Sequence, residues 1–395
     1  MTCPEPHVKP ETEAGRPTVL VVAGTRPEAV KMLPVIAALR RLSERLATRI
    51  LSTGQHADLL AQVWDPFGIR PDEDLKVMRQ GASLGRLSAR VLTAAEDLLA
   101  RERPAMVLVQ GDTTTVAMVA LAAYYLGVPV GHVEAGLRTY DVRAPFPEEV
   151  NRCLADRVAD LHFAPTKQAR DNLLAEGIRP EQVHVTGNPV VDALQMTLDK
   201  VRDLPLAALG LDGLWDPRRR LVVVTAHRRE SLDGTLEAIF GAVASLARRF
   251  ADEVDVVFPV HPNPGVRAAL GPLEGLPNVR LSDPLPYTAF VRLMSEASLI
   301  LTDSGGIQEE GPTLRVPVLV MRRVTERPEV LGTGWVQLVG TKPARIEAEA
   351  ARLLEAKGEE PPGASDENPF GDGRSGERIA RIVAGFLLGK AGGAQ

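Results

Sequence analysis

Two cysteines in 395 residues, Cys3 and Cys153, are too few and too far apart for a disulfide framework, which suits a reducing compartment. No apolar run approaches the roughly 18 residues of a membrane span, so no membrane partner is expected. The opening MTCPEPHVKPETEAGR lacks the apolar core of a secretory signal; residues 1–16 are expected to be a disordered tail and the chain cytoplasmic. Aromatic residues make up only 4%, which argues against stacking platforms for single-stranded nucleic acid. The net charge of −5 offers no basic footprint either, so nucleic acid is not an expected partner. Acidic ligands must then be gripped by a few placed arginines. No His, Cys, Asp or Glu spacing resembles a metal site, and no cofactor is expected. Neither G-x-G-x-x-G nor a P-loop follows the first strand, which disfavours an NAD-dependent route.

What is present is the composition of a soluble globular protein, 45% hydrophobic and 25% charged, at a length where two domains are the default. Short apolar runs at 18–23, 49–53, 105–110, 129–134, 161–164 and 183–186 read as buried strands, with helical stretches between them that include 27–42, 84–101 and 113–126. The pattern then restarts, with strands at 221–225, 254–260, 279–281, 298–302 and 317–321. Leu236, Ile239, Phe240, Val243 and Phe250 mark one face of a helix after the first of these. Such alternation predicts parallel sheets covered on both faces. Leu204-Pro205 and the polar run 216–220 interrupt the pattern, 357–374 reads as a loop, and Ile379, Ile382, Val383 and Phe386 close the chain as a helix. The expectation is an α/β protein of two Rossmann-like, doubly wound domains facing across a cleft. Residues 17–190 with 375–395 would form one and 191–374 the other.

The most informative segment is LTDSGGIQEE, 301–310. A strand runs into a tight turn and a helix start, where Ser304, Gly305 and Gly306 would offer a hydroxyl and backbone N–H groups to an anion. Glu310 could accept hydrogen bonds from two vicinal hydroxyls, as a ribose offers. A capped helix after a glycine-rich turn is the plainer alternative. Arg26 and Lys31 follow the first strand and suit phosphate or carboxylate. Asp112 follows the strand MVLVQ, where it serves equally well as a helix N-cap. Glu134 ends the next strand. Glu148 and Arg152 open another helix one turn apart, the spacing of an ordinary surface ion pair. Three carboxylates converging on one crevice would be costly unless they moved protons or bound sugar. In the second half, His227 and Arg228 follow a strand and suit a diphosphate, as does Arg327; His261 repeats the placement.

In order, GTRPEAVK (24–31), GDTTT (111–115), GHVEAGLRT (131–139), PEEVNR (147–152), TGNPVVDAL (186–194), AHRRES (226–231), LTDSGGIQEE (301–310), TERPE (325–329) and NPFGDG (368–373) resemble the non-hydrolysing UDP-N-acetylglucosamine 2-epimerases. The resemblance runs from about Val19 to Phe386. It implies a GT-B-type fold whose last helix packs on the first domain, a homodimer, and no cofactor. It also implies reversible conversion of UDP-N-acetylglucosamine to UDP-N-acetylmannosamine by elimination of UDP and its re-addition, supplying surface polysaccharide synthesis. Asp112, Glu134, Glu148 and His227 would then be catalytic. Arg26, Lys31, Arg152, Ser304, Gly305, Gly306, Glu310 and Arg327 would bind UDP or sugar. Some members carry a neighbouring activating site, matched here by Gln55, Glu148, Arg228 and His261, but Asp58 and Gly81 stand where those members have Gln and Arg. Losing that arginine removes a contact worth roughly 1.5–3 kcal/mol, so substrate activation is not expected. A hydrolysing epimerase, a GT-B glycosyltransferase and a nucleotide-sugar sensor are the rival readings.

Overall fold

Val and Leu runs too short for helices and flanked by glycine set the strands, and amphipathic stretches between them set the helices. The structure, a computed structural model, describes residues 12–13, 15–54, 57–77, 81–226, 235–325, 327–356 and 358–391. They divide into two units, one ending at Ala193 and resuming at Phe370, the other Leu194–Pro369.

In chain order the first unit comprises β1 (Thr12–Glu13), β2 (Arg16–Ala23), α1 (Arg26–Arg40), β3 (Ala47–Ser52), α2 (Ala57–Trp64), β4 (Glu73–Asp74), α3 (Leu84–Glu102), β5 (Met106–Gln110), α4 (Thr114–Tyr125), β6 (Val130–Val133), α5 (Glu148–Val158), β7 (Leu161–Ala164), α6 (Lys167–Ala175) and β8 (Val183–Val185). Then α7 (Pro189–Val201) carries the chain across the division. The sheet order is β4-β3-β2-β5-β6-β7-β8, with β1 on β2. All pairings are parallel except β1–β2. Leu20, Val22, Val107 and Val109 turn one sheet face onto Val91, Leu98, Val116 and Val119 of α3 and α4. The order reverses between β2 and β5, so the turns after those strands, Gly24-Thr25 and Gly111-Asp112, lie at a topological switch point.

The second unit repeats the scheme with β9 (Arg220–Thr225), α8 (Thr235–Arg249), β10 (Val254–Pro259), α9 (Pro264–Ala268), β11 (Val279–Ser282), α10 (Tyr287–Ser295), β12 (Ala297–Thr302), α11 (Gly305–Leu314), β13 (Val318–Val320), β14 (Val336–Leu338) and α12 (Pro343–Glu355). Its order is β11-β10-β9-β12-β13-β14, all parallel. Phe240 and Phe258 anchor the core with ring centroids 5.3 Å apart. The switch point falls between β9 and β12, where the Thr225 and Thr302 hydroxyls sit 2.6 Å apart.

The last helix, α13 (Ser375–Ala391), returns to the first unit. The Gly376 N–H donates to Asp192 at 2.8 Å, and a Cβ at Gly376 would stand 2.7 Å from the Pro34 backbone in α1. Glycine is required there by close approach, since a real Cβ never comes so near. Gly376→Ala is expected to destabilise the first unit by about 1–3 kcal/mol through overpacking, read as a lower midpoint in chemical denaturation.

Candidate active site

At the first unit's switch point the turns are tied to each other before any ligand arrives. Glu28 is buried in α1 and accepts from the Gly24 N–H at 2.5 Å, the Thr25 N–H at 3.0 Å and the Thr113 hydroxyl at 2.6 Å. Burial pushes its pKa up against the pull of those hydrogen bonds, with neighbouring Asp112 adding to the rise. The N-cap of α4 is Thr113, not Asp112, because the Thr113 hydroxyl accepts from the Val116 N–H. The capping alternative for Asp112 therefore fails.

Asp112 instead pairs through Oδ2 with Arg152 Nη2 at 2.5 Å, and its backbone carbonyl accepts from Asn151 at 3.0 Å. Its Oδ1 has no hydrogen bond among the described residues, and its side chain is 30% exposed. Arg152 is buried and its other contact is Glu149, at 3.3 Å. The surface pair between Glu148 and Arg152, which their spacing suggested, does not form: α5 turns Glu149 and Arg152 inward. Glu148 is half-buried and has no hydrogen bond or ion pair among the described residues. Glu149 meanwhile holds the preceding loop through the Thr139 and Tyr140 N–H groups at 3.0 and 2.9 Å.

Glu134 has a different environment. The chain leaves β6 with Glu134 in the left-handed region, φ 65°, a conformation that strains a side-chain-bearing residue. Its carboxylate is buried and engaged at both oxygens: Lys31 at 2.6 Å and Asn188 at 3.0 Å on one, the Gln110 amide on the other. Lys31, which suits phosphate or carboxylate, pairs here with the Glu134 carboxylate.

Beneath these turns lies a buried charge cluster. His132 Nδ1 meets Asp156 at 2.6 Å and His132 Nε2 meets the Gly111 carbonyl at 2.8 Å. Arg138 reaches the other Asp156 oxygen at 2.8 Å and Glu176 at 2.6 Å. Burial alone would raise the Asp156 pKa, but the charge and hydrogen bond of His132, with Arg138, outweigh it and bring it to about 2. Burial would likewise lower the His132 pKa; the facing Asp156 wins and raises it. His162, pushed down by burial, bonds the Asp156 backbone carbonyl at 2.7 Å.

In the second unit, Ser304 caps α11 and Gly305 and Gly306 form its first residues. Gly306 sits in ordinary helical backbone, and no atom lies within 4 Å of where a Cβ would stand, so neither conformation nor packing demands glycine there. Its use is an open approach to backbone N–H groups at a positive helix end. Glu310 is buried in the second turn, as is Glu309, which takes the Arg327 guanidinium. Thr325 donates to Gln308 at 2.6 Å, and Gln308 donates back to the Ser304 carbonyl at 3.1 Å, tying the Arg327 loop to the turn. His261 is exposed and accepts from the Asn263 N–H at 3.2 Å. Arg26 is half-buried at the first position of α1. Gln55, His227 and Arg228 lie outside the described residues. Among the described residues no group of three or more His, Cys, Asp or Glu could hold a metal ion.

Glu28, Gln110, His132, Glu149, Asp156 and Asn188 were not singled out from the sequence. Two signals were there: a histidine inside the apolar run VGHV, and charged Glu149, Arg152 and Asp156 spaced along one stripe of α5.

Two doubly wound parallel sheets define an α/β protein of the GT-B type. The family model described as UDP-N-acetylglucosamine 2-epimerase matches residues 38–384, and the chain belongs to that family. The UDP-N-acetylglucosamine 2-epimerase of Escherichia coli strain K12 is 45% identical over 369 residues, 92% of this chain and 98% of its own. The crystal structure of the Neisseria meningitidis UDP-GlcNAc 2-epimerase bound to UDP-GlcNAc superposes with a TM-score of 0.86 at 40% identity, covering 93% of this chain and 99% of that one. The Methanocaldococcus jannaschii enzyme in complex with UDP-GlcNAc and UDP gives a TM-score of 0.77 at 32% identity, over 93% and 99% of the two chains.

The Asp156 cluster sets an acid limit on stability. Its folded pKa of about 2 lies below the ordinary 3.8, so the ionised group stabilises the fold above about pH 4, and that contribution is lost as pH falls toward about 2. Asp156→Asn is expected to cost about 3–5 kcal/mol near pH 7. The gap to the unaltered protein, followed by urea denaturation, should narrow as pH drops through that interval.

Proposed function

We propose that the chain interconverts UDP-N-acetylglucosamine and UDP-N-acetylmannosamine without net hydrolysis. The chemical difficulty is that the C2 proton is not beside a carbonyl, so direct deprotonation is too costly. Elimination avoids this: a base removes the C2 proton, the electron pair forms the C1–C2 double bond, and UDP leaves from C1. The products are 2-acetamidoglucal and UDP. Re-addition of UDP at C1 with a proton delivered to the opposite face of C2 gives the epimer.

The observation that carries the assignment is the contrast between the carboxylates. Asp112 is fixed at one oxygen by Arg152 and has the other unengaged, while Glu134 has both oxygens occupied by protein donors. Asp112 is therefore the base for the C2 proton, and Glu148, half-buried and unpaired among the described residues, delivers a different, solvent-derived proton to the other face. Glu134 with Lys31 orients the site and binds sugar. Arg152 steadies Asp112, and Arg26 offers a further cation. In the second unit the Ser304-Gly305-Gly306 turn takes the diphosphate, Glu310 the ribose hydroxyls, and Arg327 and His227 the departing UDP. Holding UDP is essential, because its escape would strand the 2-acetamidoglucal or leave its C1 to addition of water, the outcome of a hydrolysing enzyme.

A cytoplasmic homodimer feeding surface polysaccharide synthesis is the setting this reading implies. No helix among the described residues is long and apolar enough to cross a membrane. Regulation by a second substrate molecule is not part of the proposal. Gly81 is exposed with φ 75°, a backbone state that would strain the arginine found at that place in substrate-activated relatives.

The decisive test is proton NMR of UDP-N-acetylglucosamine with the protein in deuterated water. Deuterium should enter C2 as the nucleotide sugar drifts to a gluco/manno mixture, with little free sugar. Accumulation of UDP and free N-acetylmannosamine would mark a hydrolysing enzyme instead. Asp112→Asn should slow exchange by about 10²–10⁴-fold, the range of a lost general base. Initial rates should rise hyperbolically with UDP-N-acetylglucosamine; a sigmoidal curve would revive substrate activation.

A further inference from the structure

The turn that presents Asp112 is held from below by a residue that touches no part of the proposed reaction site. His132 stands in β6 with its side chain fully buried, and both ring nitrogens face acceptors: the Asp156 carboxylate at 2.6 Å and the Gly111 carbonyl at 2.8 Å. A neutral imidazole carries one N–H and would leave one of these contacts as oxygen against a lone pair. Two donated hydrogen bonds require the imidazolium. The surroundings can hold it, since buried His132 and Arg138 are matched by Asp156 and Glu176, two cations against two carboxylates. The Gly136 N–H adds a further bond to Asp156 at 3.2 Å.

Gly111 has φ 82° and is the residue immediately before Asp112. Its carbonyl orientation sets the plane of the peptide that carries the Asp112 nitrogen, and hence the direction in which the Asp112 side chain leaves the backbone. Thr113, the next residue, is fixed by Glu28, and the Asp112 carbonyl by Asn151. On the N-terminal side of Asp112, Gly111 donates its N–H to the Val133 carbonyl at 3.0 Å, and its own carbonyl, the group that orients the Asp112 peptide, is held by His132.

We propose that His132, donating to both Asp156 and the Gly111 carbonyl, is a positioning residue that sets the orientation of Asp112 for proton transfer. This rests on the assignment of Asp112 as the C2 base. Small misplacement of a reacting group costs rate steeply, while binding of the nucleotide in the other unit does not depend on it. The role is therefore visible as a split between turnover and binding.

The experiment compares His132→Phe, His132→Gln and Asp112→Asn in the full chain, by C2 deuterium exchange, steady-state kinetics and UDP titration calorimetry. For folded His132→Phe, kcat is expected to fall about 100-fold, with KM and UDP affinity within about threefold. His132→Gln, which keeps an amide donor for the Gly111 carbonyl, should recover about tenfold of that loss. Unchanged kcat in His132→Phe, a loss shared with UDP affinity, or no recovery in His132→Gln overturns the proposal. Unimpaired exchange in Asp112→Asn instead sinks the assignment of the base, and the positioning role with it. If neither His132 variant folds, nitrogen-15 NMR of histidine-labelled protein decides: an unprotonated His132 ring nitrogen near neutral pH overturns the doubly donating arrangement, and two protonated nitrogens support it.

Discussion

A carboxylate taken out of water must be matched by a cation or by several donors, and the first unit is organised around how each of its buried acids meets that demand. Glu134 has Lys31 and two amides, Glu149 has Arg152 and two backbone N–H groups, and Asp156 has His132 and Arg138. Glu28 has only uncharged donors, and its pKa is raised accordingly. Asp112 and Glu148 are less buried than these acids: Asp112 keeps one oxygen, and Glu148 its whole carboxylate, without a protein partner among the described residues.

The second unit solves a different problem with different means. Its switch point relies on a helix end, two glycines and backbone N–H groups, supplemented by one arginine that is itself balanced by Glu309. Fixed dipoles suit an anion such as a diphosphate, because they need no rearrangement on binding. The same sheet topology in both units thus ends in buried carboxylates with their cations in one and in a glycine-rich helix start in the other.

Much of the architecture was legible because buried parallel strands are near-continuous apolar runs: 161–164 matches β7 in full, and 298–302 falls within β12. The strands that escaped, β1, β4 and β14, have only two or three residues; β1 falls in the stretch expected to be a disordered tail, and β4 consists of Glu73 and Asp74, whose pairing is decided by the neighbouring strand and not by their own preference. Glycine turns at strand ends made Asp112, Glu134 and Ser304 readable. The partners were not, because the Lys31–Glu134 and Arg152–Asp112 pairs join residues 103 and 40 positions apart, and local spacing points to nearer ones such as Glu148. Asp156 and His132 were hidden for a related reason: a buried charge breaks the apolar pattern at its own position, but nothing local says what neutralises it.

The return of α13 to the first unit gives the chain a particular order of completion. During synthesis the eight described strands of that unit emerge before the second unit begins, yet the helix that covers Pro34 of α1 follows only after the second unit. The second unit, contiguous from Leu194 to Pro369, has all its strands available while the first still exposes the α1 surface that α13 covers. A growing chain therefore carries an uncovered apolar seam while the whole second unit is made, and a ribosome that stops before α13 releases a protein whose missing piece belongs to its first unit.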